Sequence, residues 1–540
     1  MKLNLQNLRD RQRWKQLGYK LPSFDEESIR KNTYETPEWI HFGAGNIFRA
    51  YQAHVVQKLL NEGILDKGII VAEGYDYEII ERIYKPHDNY GVLVTLKANG
   101  NIEKTVIGSV TEALTIDRNN KKDWNRLKEI FSKDSLKMVS FTITEKGYSL
   151  VDSKGNLLPY ILKDMEDGPT RAESYLAKVT ALLYERFKSS GKPIAMVSMD
   201  NCSHNGDKLY NAIYGIAHQW LLREKVEKGF LEYIKDPKKV SFPWSMIDKI
   251  TPRPDESIKT VLLRDGIEEV QPIVTTKNTY IAPFVNAEET EYLIIEDAFP
   301  NGKIQLDKGG IIYTDKETVN QVEKMKVCTC LNPLHTTLAI FGCLLGYELI
   351  SEEMKDPYLK KLVELIGYKE GLPVVVDPKI IKPEDFIKEV LEIRMPNPFM
   401  PDTPQRIATD TSQKLGIRFG ETLKAYTENP KLDVEKLIGI PFVFAGWLRY
   451  LMAIDDEGNT MPLSADPMLE VVCKHMQQVK LGANQDITQL IKPILSMDSI
   501  FGVDLYALNL NKKIEYYFKQ MIKGTGAVYE ALKEVVEESV

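Results

Sequence analysis

The sequence is poor in cysteine. Five cysteines occur in 540 residues, an odd number, and no two of them form a Cys-x-x-Cys pair. A disulfide scaffold needs a denser and usually even set of cysteines. This scarcity excludes a small disulfide-stapled secreted domain and predicts a reduced, cytoplasmic setting.

Long hydrophobic runs and basic clusters are also lacking. The longest apolar stretch, near 338–345, is far shorter than the roughly 20 residues needed to cross a membrane. The segment 1–6 lacks the apolar core of a signal peptide. The formal net charge is −7 and the basic residues are dispersed, whereas nucleic-acid binding needs a concentrated basic surface. We therefore expect neither a membrane nor a nucleic acid as partner.

The chain has the composition of a globular protein, 43% hydrophobic and 27% charged, and the length for two or three domains. In its first part, short β-rich runs alternate with amphipathic helices, which predicts a parallel sheet covered by helices. The runs are 39–42, 68–72, 136–142 and 193–198. Helical periodicity dominates later, in 336–350, 359–366, 383–393, 434–451, 468–479 and 514–536. We expect an α/β domain over 1–310 and a mainly helical domain over 311–540.

The first predicted strand runs into a glycine-containing turn and then a helix: Gly43-Ala44-Gly45-Asn46-Ile47-Phe48-Arg49. Glycines two apart at such a turn let the backbone approach a pyrophosphate, which the helix N-terminus stabilises. The third glycine of the common fingerprint is missing, since Phe48 stands there, and an ordinary tight turn also fits. The order of strand, turn, helix and second strand favours a dinucleotide site.

Glu73 ends the second predicted strand. An acidic side chain at this point can hold the ribose 2′-hydroxyl and repels a 2′-phosphate, which favours NAD over NADP. A solvated strand end is the alternative interpretation of Glu73.

Four segments resemble the polyol-specific long-chain dehydrogenases, the mannitol dehydrogenase family. They are Gly43 to Ala53, Thr142-Ile143-Thr144-Glu145-Lys146-Gly147-Tyr148, Ser198-Met199-Asp200-Asn201, and Phe242 to Pro252, which contains Asp248. The resemblance implies an N-terminal Rossmann-type domain with a parallel sheet, a helical C-terminal domain, and an active site in the cleft between them. It further implies an NAD-dependent oxidoreductase acting on CH–OH groups, with cofactor contacts along residues 43–49, Glu73 and Asp248.

The resemblance also implies a reaction, the reduction of a keto sugar acid to an aldonate, with D-fructuronate to D-mannonate as the expected pair. Activity on mannitol or on tagaturonate remains an alternative within the family. An NAD-binding epimerase or sensor is the alternative outside the dehydrogenases. We expect a small sugar acid or polyol as the only partner, and a monomer or homodimer.

The family's reaction centre is a lysine followed by Asn-x-x-His, with the lysine usually five residues before the asparagine. Here Lys326 lies six residues before Asn332, and Lys324 is the second choice. Pro333 suits the first position of a helix and makes Asn332 a candidate N-cap. Residues 326–331 are therefore expected to be extended or irregular, which would absorb the extra residue.

The chemistry gives each of these residue types a role. A lysine whose pKa is lowered by burial can take the hydroxyl proton, and the amides of Asn332 and Asn201 can stabilise the developing oxyanion. His335 lies three residues after Asn332 and would orient the hydroxyl or carbonyl. Taken singly, a solvated lysine, a capping asparagine and a core histidine explain the same residues.

Arg406 and Lys414 lie in a segment that resembles the family's Arg-Ile-x-x-Asp-x-Ser-x-Lys helix, which implies that both face the substrate. Their spacing with Asp410 also fits a ladder of surface ion pairs on one helix. The cysteines at 328, 330 and 343 lack the usual spacing of zinc ligands. The resemblance implies catalysis without metal, and we expect none.

Overall fold

The computed structural model describes residues 1–539, which form two compact units. The first unit comprises Met1–Lys97 and Asn101–Asn320, and the second comprises Ala98–Gly100 and the chain from Gln321 onward. The boundary lies inside the helix Lys316–Met325, slightly beyond the expected limit at 310. An active site in a cleft between two domains stays a prediction.

The first unit is built on four sheets. Its strands are β1 Tyr19–Lys20, β2 Trp39–Phe42, β3 Ile69–Glu73, β4 Gly91–Leu96, β5 Ile102–Ile107, β6 Val110–Thr115, β7 Met138–Phe141, β8 Ile194–Ser198, β9 Val240–Ser241, β10 Ser245–Asp248, β11 Ile273–Val274, β12 Tyr280–Ile281, β13 Phe284–Glu288, β14 Tyr292–Glu296 and β15 Ile312–Thr314. The expected strands near 39, 68, 136 and 193 are confirmed as β2, β3, β7 and β8.

The largest sheet has six strands, all parallel, in the order β6-β3-β2-β7-β8-β9. The first strand of this sheet along the chain, β2, lies in the middle, and the strand order reverses between β2 and β7. This is the Rossmann arrangement, in which ligands bind at the carboxyl edge beside the reversal. The predicted fold class is confirmed.

The strands of this sheet are buried on both faces, as parallel strands under two helical layers must be. Every residue of β2, β3, β7 and β8 is buried. Phe42, the last residue of β2, is paired with Ala72 on one side and Phe141 on the other. These strands therefore end at the same level, and the turns that follow them meet at one edge.

The helices of the first unit cover both faces of the sheet and its margins. They are α1 Leu5–Leu8, α2 Arg11–Gln16, α3 Glu26–Glu35, α4 Ala53–Asn61, α5 Lys121–Ser132, α6 Pro159–Asp167, α7 Tyr175–Ser189, α8 Asn205–Leu222, α9 Lys228–Lys235, α10 Glu256–Arg264 and α11 Lys316–Met325. On one face the core includes Phe131, Leu182 and Trp220, and on the other it includes Val56, Leu59 and Ile80.

The second unit is helical. Its helices are α12 Asn332–Leu345, α13 Ile350–Glu353, α14 Pro357–Glu364, α15 Pro383–Glu389, α16 Pro404–Ile407, α17 Glu421–Glu428, α18 Gly439–Tyr450, α19 Leu469–Met476, α20 Thr488–Leu495, α21 Asp498–Phe501, α22 Asn511–Met521 and α23 Ala527–Glu538. Helix α18 is buried at every position and packs on α12 and α22, which makes α18 the centre of this core.

Two of the expected helices are wrong in extent. The stretch 336–350 is helical only to Leu345, because Gly346 has φ +76° and ends α12. The periodic stretch 514–536 forms two helices, α22 and α23, instead of one. Gly526 has φ +76° and immediately precedes α23. A glycine in the left-handed conformation interrupts a helix. The hydrophobic periodicity of the sequence therefore continues past the point where the helix is interrupted.

Among residues 1–539, one helical stretch, Lys316–Leu345, is long and apolar enough to cross a membrane by length and composition alone. Its most apolar window is 78% buried inside the protein. Such burial is typical of a helix in the core of a protein, and most of the buried residues of this stretch belong to α12.

Candidate functional site

The turn after β2 depends on its first glycine. Gly43 has φ +119°, and a Cβ atom there would lie 2.3 Å from the carbonyl oxygen of Thr142, which follows β7. Only glycine fits so close an approach. A Cβ atom on Gly45 would meet nothing within 4 Å, so Gly45 leaves open space beside the loop.

The Glu73 carboxylate organises this turn. Its Oε2 accepts the Ala44 N–H at 2.9 Å. Its Oε1 accepts the N–H groups of residues 74, 75 and 76 at 2.9, 2.8 and 3.2 Å. Burial raises the pKa of Glu73, and these four N–H donors oppose that rise. Since Glu73 is 5% exposed, the interpretation as a solvated strand end is wrong.

The other residues of the turn divide into two groups. Phe48 is fully buried and stacks on His41, with 4.6 Å between the ring centroids. The Arg49 guanidinium is also buried and donates to the Ala282 carbonyl at 2.8 Å. Asn46 and Ile47 open the helix, and the buried Oδ1 of Asn46 has no hydrogen-bond partner in the described part of the chain. Pyrophosphate contacts by these residues stay predictions.

A second carboxylate fixes the turns after β7 and β8. Asp200 accepts the N–H groups of Ile143 at 2.9 Å and Thr144 at 2.8 Å, and it also accepts the Tyr148 hydroxyl. Thr144 has φ +65°, so these bonds hold a conformation that a threonine rarely adopts. Asn201, the next residue, is exposed at this carboxyl edge.

Asp248, the remaining expected cofactor residue, ends β10 and is paired with Tyr292 of β14. It is 6% exposed. Because it lies in a sheet other than the six-stranded one, its contact with a cofactor stays a prediction.

The first unit fits a dinucleotide at the edge where the strand order reverses. The turn after β2 is open at Gly45, and a helix begins at Asn46 with N–H groups that suit a pyrophosphate. Glu73 lies beside it, and its Oε2 accepts a hydrogen bond from the Ala44 N–H. A carboxylate oxygen can accept a second hydrogen bond, here from a ribose hydroxyl.

In the second unit, the segment that carries Lys326 is helical, so the expected extended or irregular conformation is wrong. Residues Lys326–Cys330 form one π-helical turn between α11 and α12. Its closing bond runs from the Leu331 N–H to the Lys326 carbonyl at 3.1 Å. A π-turn is how a helix accommodates one inserted residue, so the extra residue is absorbed by helical geometry.

The two candidate lysines differ in environment. Lys326 is 5% exposed, whereas Lys324 is exposed on the last turn of α11. Asn332 is the first residue of α12, and Leu331 precedes it as the cap residue. The expectation that Asn332 is the N-cap is therefore wrong by one position, and Asn332 and Pro333 both lie in the first turn.

His335 lies on the first turn of α12 beside an acidic side chain. Its Nε2 is 3.6 Å from Oδ2 of Asp402, which also pairs with Arg406. Burial lowers the pKa of His335 to about 4, and the nearby arginines 394, 418 and 406 add to the lowering while Asp402 opposes it. His335 is therefore neutral at pH 7 and can donate one hydrogen bond and accept another.

The alternative interpretation of Arg406, Asp410 and Lys414 as a ladder of ion pairs on one helix is wrong, and their contact with the substrate stays a prediction. Helix α16 ends at Ile407, and Asp410 has φ +55°. Arg406 pairs instead with Asp402, and the Lys414 ammonium donates to the carbonyls of residues 407 and 409. Burial and the neighbouring Arg418 lower the pKa of Lys414.

Two residues beside His335 were not predicted from the sequence, Asp402 and Arg418. Arg418 lies on a π-helical turn, Gly416–Gly420, and its guanidinium donates to the hydroxyl of Thr336. Burial lowers its pKa to about 10. The one feature of the sequence that could have identified Arg418 is its position four residues after Lys414.

Among residues 1–539, no group of three or more histidine, cysteine, aspartate or glutamate side chains is arranged to hold a metal ion. The five cysteines are free thiols, and burial raises the pKa of Cys330. A metal-independent reaction stays a prediction that only chemistry can test.

Comparison with known proteins gives consistent matches. Sequence models of the Mannitol dehydrogenase Rossmann domain and the Mannitol dehydrogenase C-terminal domain match residues 37–308 and 318–522. D-mannonate oxidoreductase of Thermotoga maritima is 54% identical over 538 residues, 99% of each chain. D-mannonate oxidoreductase of Escherichia coli is 27% identical over 490 residues, 90% of this chain and 91% of the relative. Pseudomonas fluorescens mannitol 2-dehydrogenase, solved as a ternary complex with NAD and D-mannitol, is 25% identical with a TM-score of 0.67 and full coverage of both chains.

Proposed function

The chain belongs to the mannitol dehydrogenase family, and from that membership we propose that it is an NAD-dependent oxidoreductase that reduces D-fructuronate to D-mannonate. The observation that carries the proposal is the 54% identity to a D-mannonate oxidoreductase over 99% of both chains. A neutral polyol or tagaturonate is the alternative substrate. Cytoplasmic location and a monomeric or homodimeric state stay predictions.

The charges of the second unit support a sugar acid as substrate. Arg406 and Arg418 both lie near His335, and Asp402, the acid beside His335, pairs with Arg406. An excess of cations beside a predicted reaction centre suits a ligand that carries a carboxylate. A neutral polyol gives this excess no counter-charge.

NADH, when bound, supplies the hydride that the carbonyl carbon receives. The residues of the chain supply the proton for the reacting oxygen and the hydrogen-bond donors around it. In the proposed roles, Lys326 gives its proton to that oxygen as the alcohol forms and recovers it in the reverse direction. Its position supports this role, because Lys326 is buried on the turn that packs against α12, and a proton donor must lie within reach of the oxygen that it protonates.

Asn332 and His335 are proposed to hold the substrate oxygen. Both lie on the first turn of α12, three residues apart, which puts them on one face of the helix. A neutral imidazole donates a hydrogen bond without adding a charge that would compete with Lys326 for the proton. The proposed oxyanion contact by Asn201 rests on the resemblance to the family.

The proposal is tested by timing NADH oxidation with D-fructuronate, D-tagaturonate and D-fructose in parallel, with D-mannonate and NAD as the reverse reaction. We expect the highest kcat/KM with D-fructuronate. Faster turnover of D-fructose would point to a neutral polyol enzyme. NADH binding without turnover of any of the three would favour the epimerase or sensor.

A further inference from the structure

We propose that Arg418 binds the carboxylate of the sugar-acid substrate and thereby sets the preference for uronates over neutral ketoses. This inference rests on the proposed function, because it assigns a residue to the substrate group that distinguishes D-fructuronate from D-fructose. The sequence predicts Arg406 and Lys414 as the substrate-binding residues. Arg418 is a third cation, and it differs from Arg406 in having no carboxylate as ion-pair partner in the described part of the chain.

The position of Arg418 joins it to the predicted reaction centre. Its π-helical turn, Gly416–Gly420, packs against the π-helical turn Lys326–Cys330 and against α12. Its Nη1 donates to the hydroxyl of Thr336, the residue after His335. Arg418 also contributes to the lowered pKa of both His335 and Lys414. One guanidinium thus lies beside two of the predicted functional residues, His335 and Lys414.

The charge of Arg418 lacks a counter-charge. Among residues 1–539, no carboxylate forms an ion pair with it, and the Thr336 hydroxyl is its one hydrogen-bond partner. A guanidinium has five N–H donors in a planar fork. Arg418 is half-buried, so its remaining donors can be reached by a ligand, and a carboxylate matches the fork in a bidentate manner.

Three buried arginines show how a structural arginine is satisfied in this fold. Arg186 donates to five backbone carbonyl groups, and Arg449 donates to three. Arg126 pairs with Glu112. Arg418 has neither carbonyl groups nor an acid around it, so its charge is available to a ligand.

The experiment uses the full-length enzyme and compares D-fructuronate with D-fructose, which lacks the carboxylate. Arg418→Met removes the charge, Arg418→Lys keeps the charge but loses the planar fork, and Lys424→Met removes an exposed cation that pairs with Glu421. We expect Arg418→Met to lower kcat/KM for D-fructuronate by about 10²–10³-fold through KM, and to change that for D-fructose by less than about threefold. Arg418→Lys should fall between, and Lys424→Met should match the wild type.

If D-fructose turnover is too slow to time, the same contrast is measured with D-mannonate and D-mannitol as competitive inhibitors of D-fructuronate reduction. In Arg418→Met only the inhibition by D-mannonate should weaken. Thermal unfolding of each variant without ligand checks that the fold is intact, and the unfolding temperature of Arg418→Met should not fall. D-mannonate should raise the unfolding temperature of the wild type but not that of Arg418→Met.

An equal loss for the acidic and neutral ligands would overturn the inference, because it would mean that Arg418 only positions Thr336 and α12. Unchanged selectivity in Arg418→Met would overturn it as well. Failure of the proposed function looks different: the wild-type enzyme itself would then turn over neither D-fructuronate nor D-mannonate.

Discussion

Lys326 and Lys324 are two residues apart but lie in different surroundings. Lys324 closes the last turn of α11 and is exposed, whereas Lys326 begins the π-helical turn and is 5% exposed. Residues two apart on a helix point to different sides. Solvent exposure therefore separates the two candidates that the sequence motif leaves open.

The first prediction follows from this difference. Lys326→Ala should lower kcat for D-fructuronate reduction by about 10²–10⁴-fold, the usual contribution of a positioned acid or base. Affinity for NADH, measured by fluorescence titration, should change little, because the expected dinucleotide site is formed by the first unit.

Lys324→Ala is the matched control and should keep near-normal kcat. An essential Lys324 with a dispensable Lys326 would mean that the catalytic lysine is assigned to the wrong side of Met325. Near-normal kcat in both variants would contradict the hypothesis that a lysine transfers the proton.

Glu73 gives the second prediction. Glu73→Gln removes the negative charge and replaces one of the two acceptor oxygens by an NH2 donor. If the amide oxygen stays on the N–H groups of residues 74–76, the NH2 group faces the Ala44 N–H and that hydrogen bond is lost. We expect NADH binding to weaken by about 10–100-fold, the range for hydrogen bonds to a charged group, and the preference for NADH over NADPH to narrow. Calorimetric titration with both cofactors measures this.

Glu81→Gln is the control, since Glu81 is near in sequence and pairs with Lys85 on the surface. It should leave both affinities unchanged. If Glu73→Gln kept the wild-type affinity and the wild-type preference, Glu73 would have no part in the site.

At the scale of elements, the contact between α13 and α12 contains an unusual group. The Glu353 carboxyl is fully buried, and neither of its oxygens has a hydrogen-bond partner in the described part of the chain. A Cβ atom on Gly342 of α12 would lie 2.2 Å from its Oε1, so glycine is what lets the two elements meet. Burial raises the pKa of Glu353 well above its ordinary value, which favours the neutral acid in the folded protein.

The third prediction is the pH dependence that this burial creates. Below about pH 4.5 both folded and unfolded chains hold Glu353 protonated, and no stability is lost. As the pH rises above 4.5, only the unfolded chain ionises, which favours unfolding. Glu353→Gln should therefore be more stable than the wild type by about 1–3 kcal/mol at pH 8 and nearly equal at pH 4.5.

Denaturant titrations at several pH values measure this difference. Glu352→Gln is the control, because Glu352 is exposed on the same short helix, and its stability should follow the wild type at every pH. A difference between Glu353→Gln and the wild type that stays constant with pH would mean that Glu353 is ionised in the native protein.

The elements that sequence predicts well are those with local signals. The strand 39–42, the glycine turn, the helix from 53 and the strands near 68, 136 and 193 follow from hydrophobic runs and a strand-to-helix turn, and all are present. The π-helical turn at Lys326 and the left-handed Asp410 are set by packing and by distant hydrogen bonds. Periodicity cannot show either of them.

The candidate site divides in the same way. Sequence motifs selected Lys326, Asn332 and His335, and the structure has all three on or beside the first turn of α12. The partners that decide their chemistry, Asp402 and Arg418, come from later segments. Their proximity to His335 depends on how α16 and the turn at Gly416 pack on α12, which one sequence does not encode locally.

The fourth prediction concerns the whole molecule. Activity with D-fructuronate and NADH should survive prolonged EDTA treatment followed by desalting. In the proposed mechanism Lys326 and the amide donors do the work that a Lewis acid would do, and no described residue cluster is arranged for a metal. Elemental analysis of the purified enzyme checks the same point without kinetics.

Loss of activity on chelation that added zinc restores would contradict the lysine mechanism. Loss that no metal restores would instead indicate damage to the protein, which the thermal unfolding temperature of the treated sample would reveal. The untreated enzyme with added zinc is the companion control.

Two carboxylates at the edge of the central sheet accept backbone N–H groups, Glu73 from Ala44 and residues 74–76, and Asp200 from residues 143–144. The exchange of these amide hydrogens with deuterated solvent is therefore governed by two side chains. Replacing either carboxylate should deprotect one short peptide and leave the strands before it slow to exchange. Mass spectrometry of deuterium uptake would then measure directly how well ordered the expected cofactor-binding turn is. The measurement needs no cofactor, substrate or turnover.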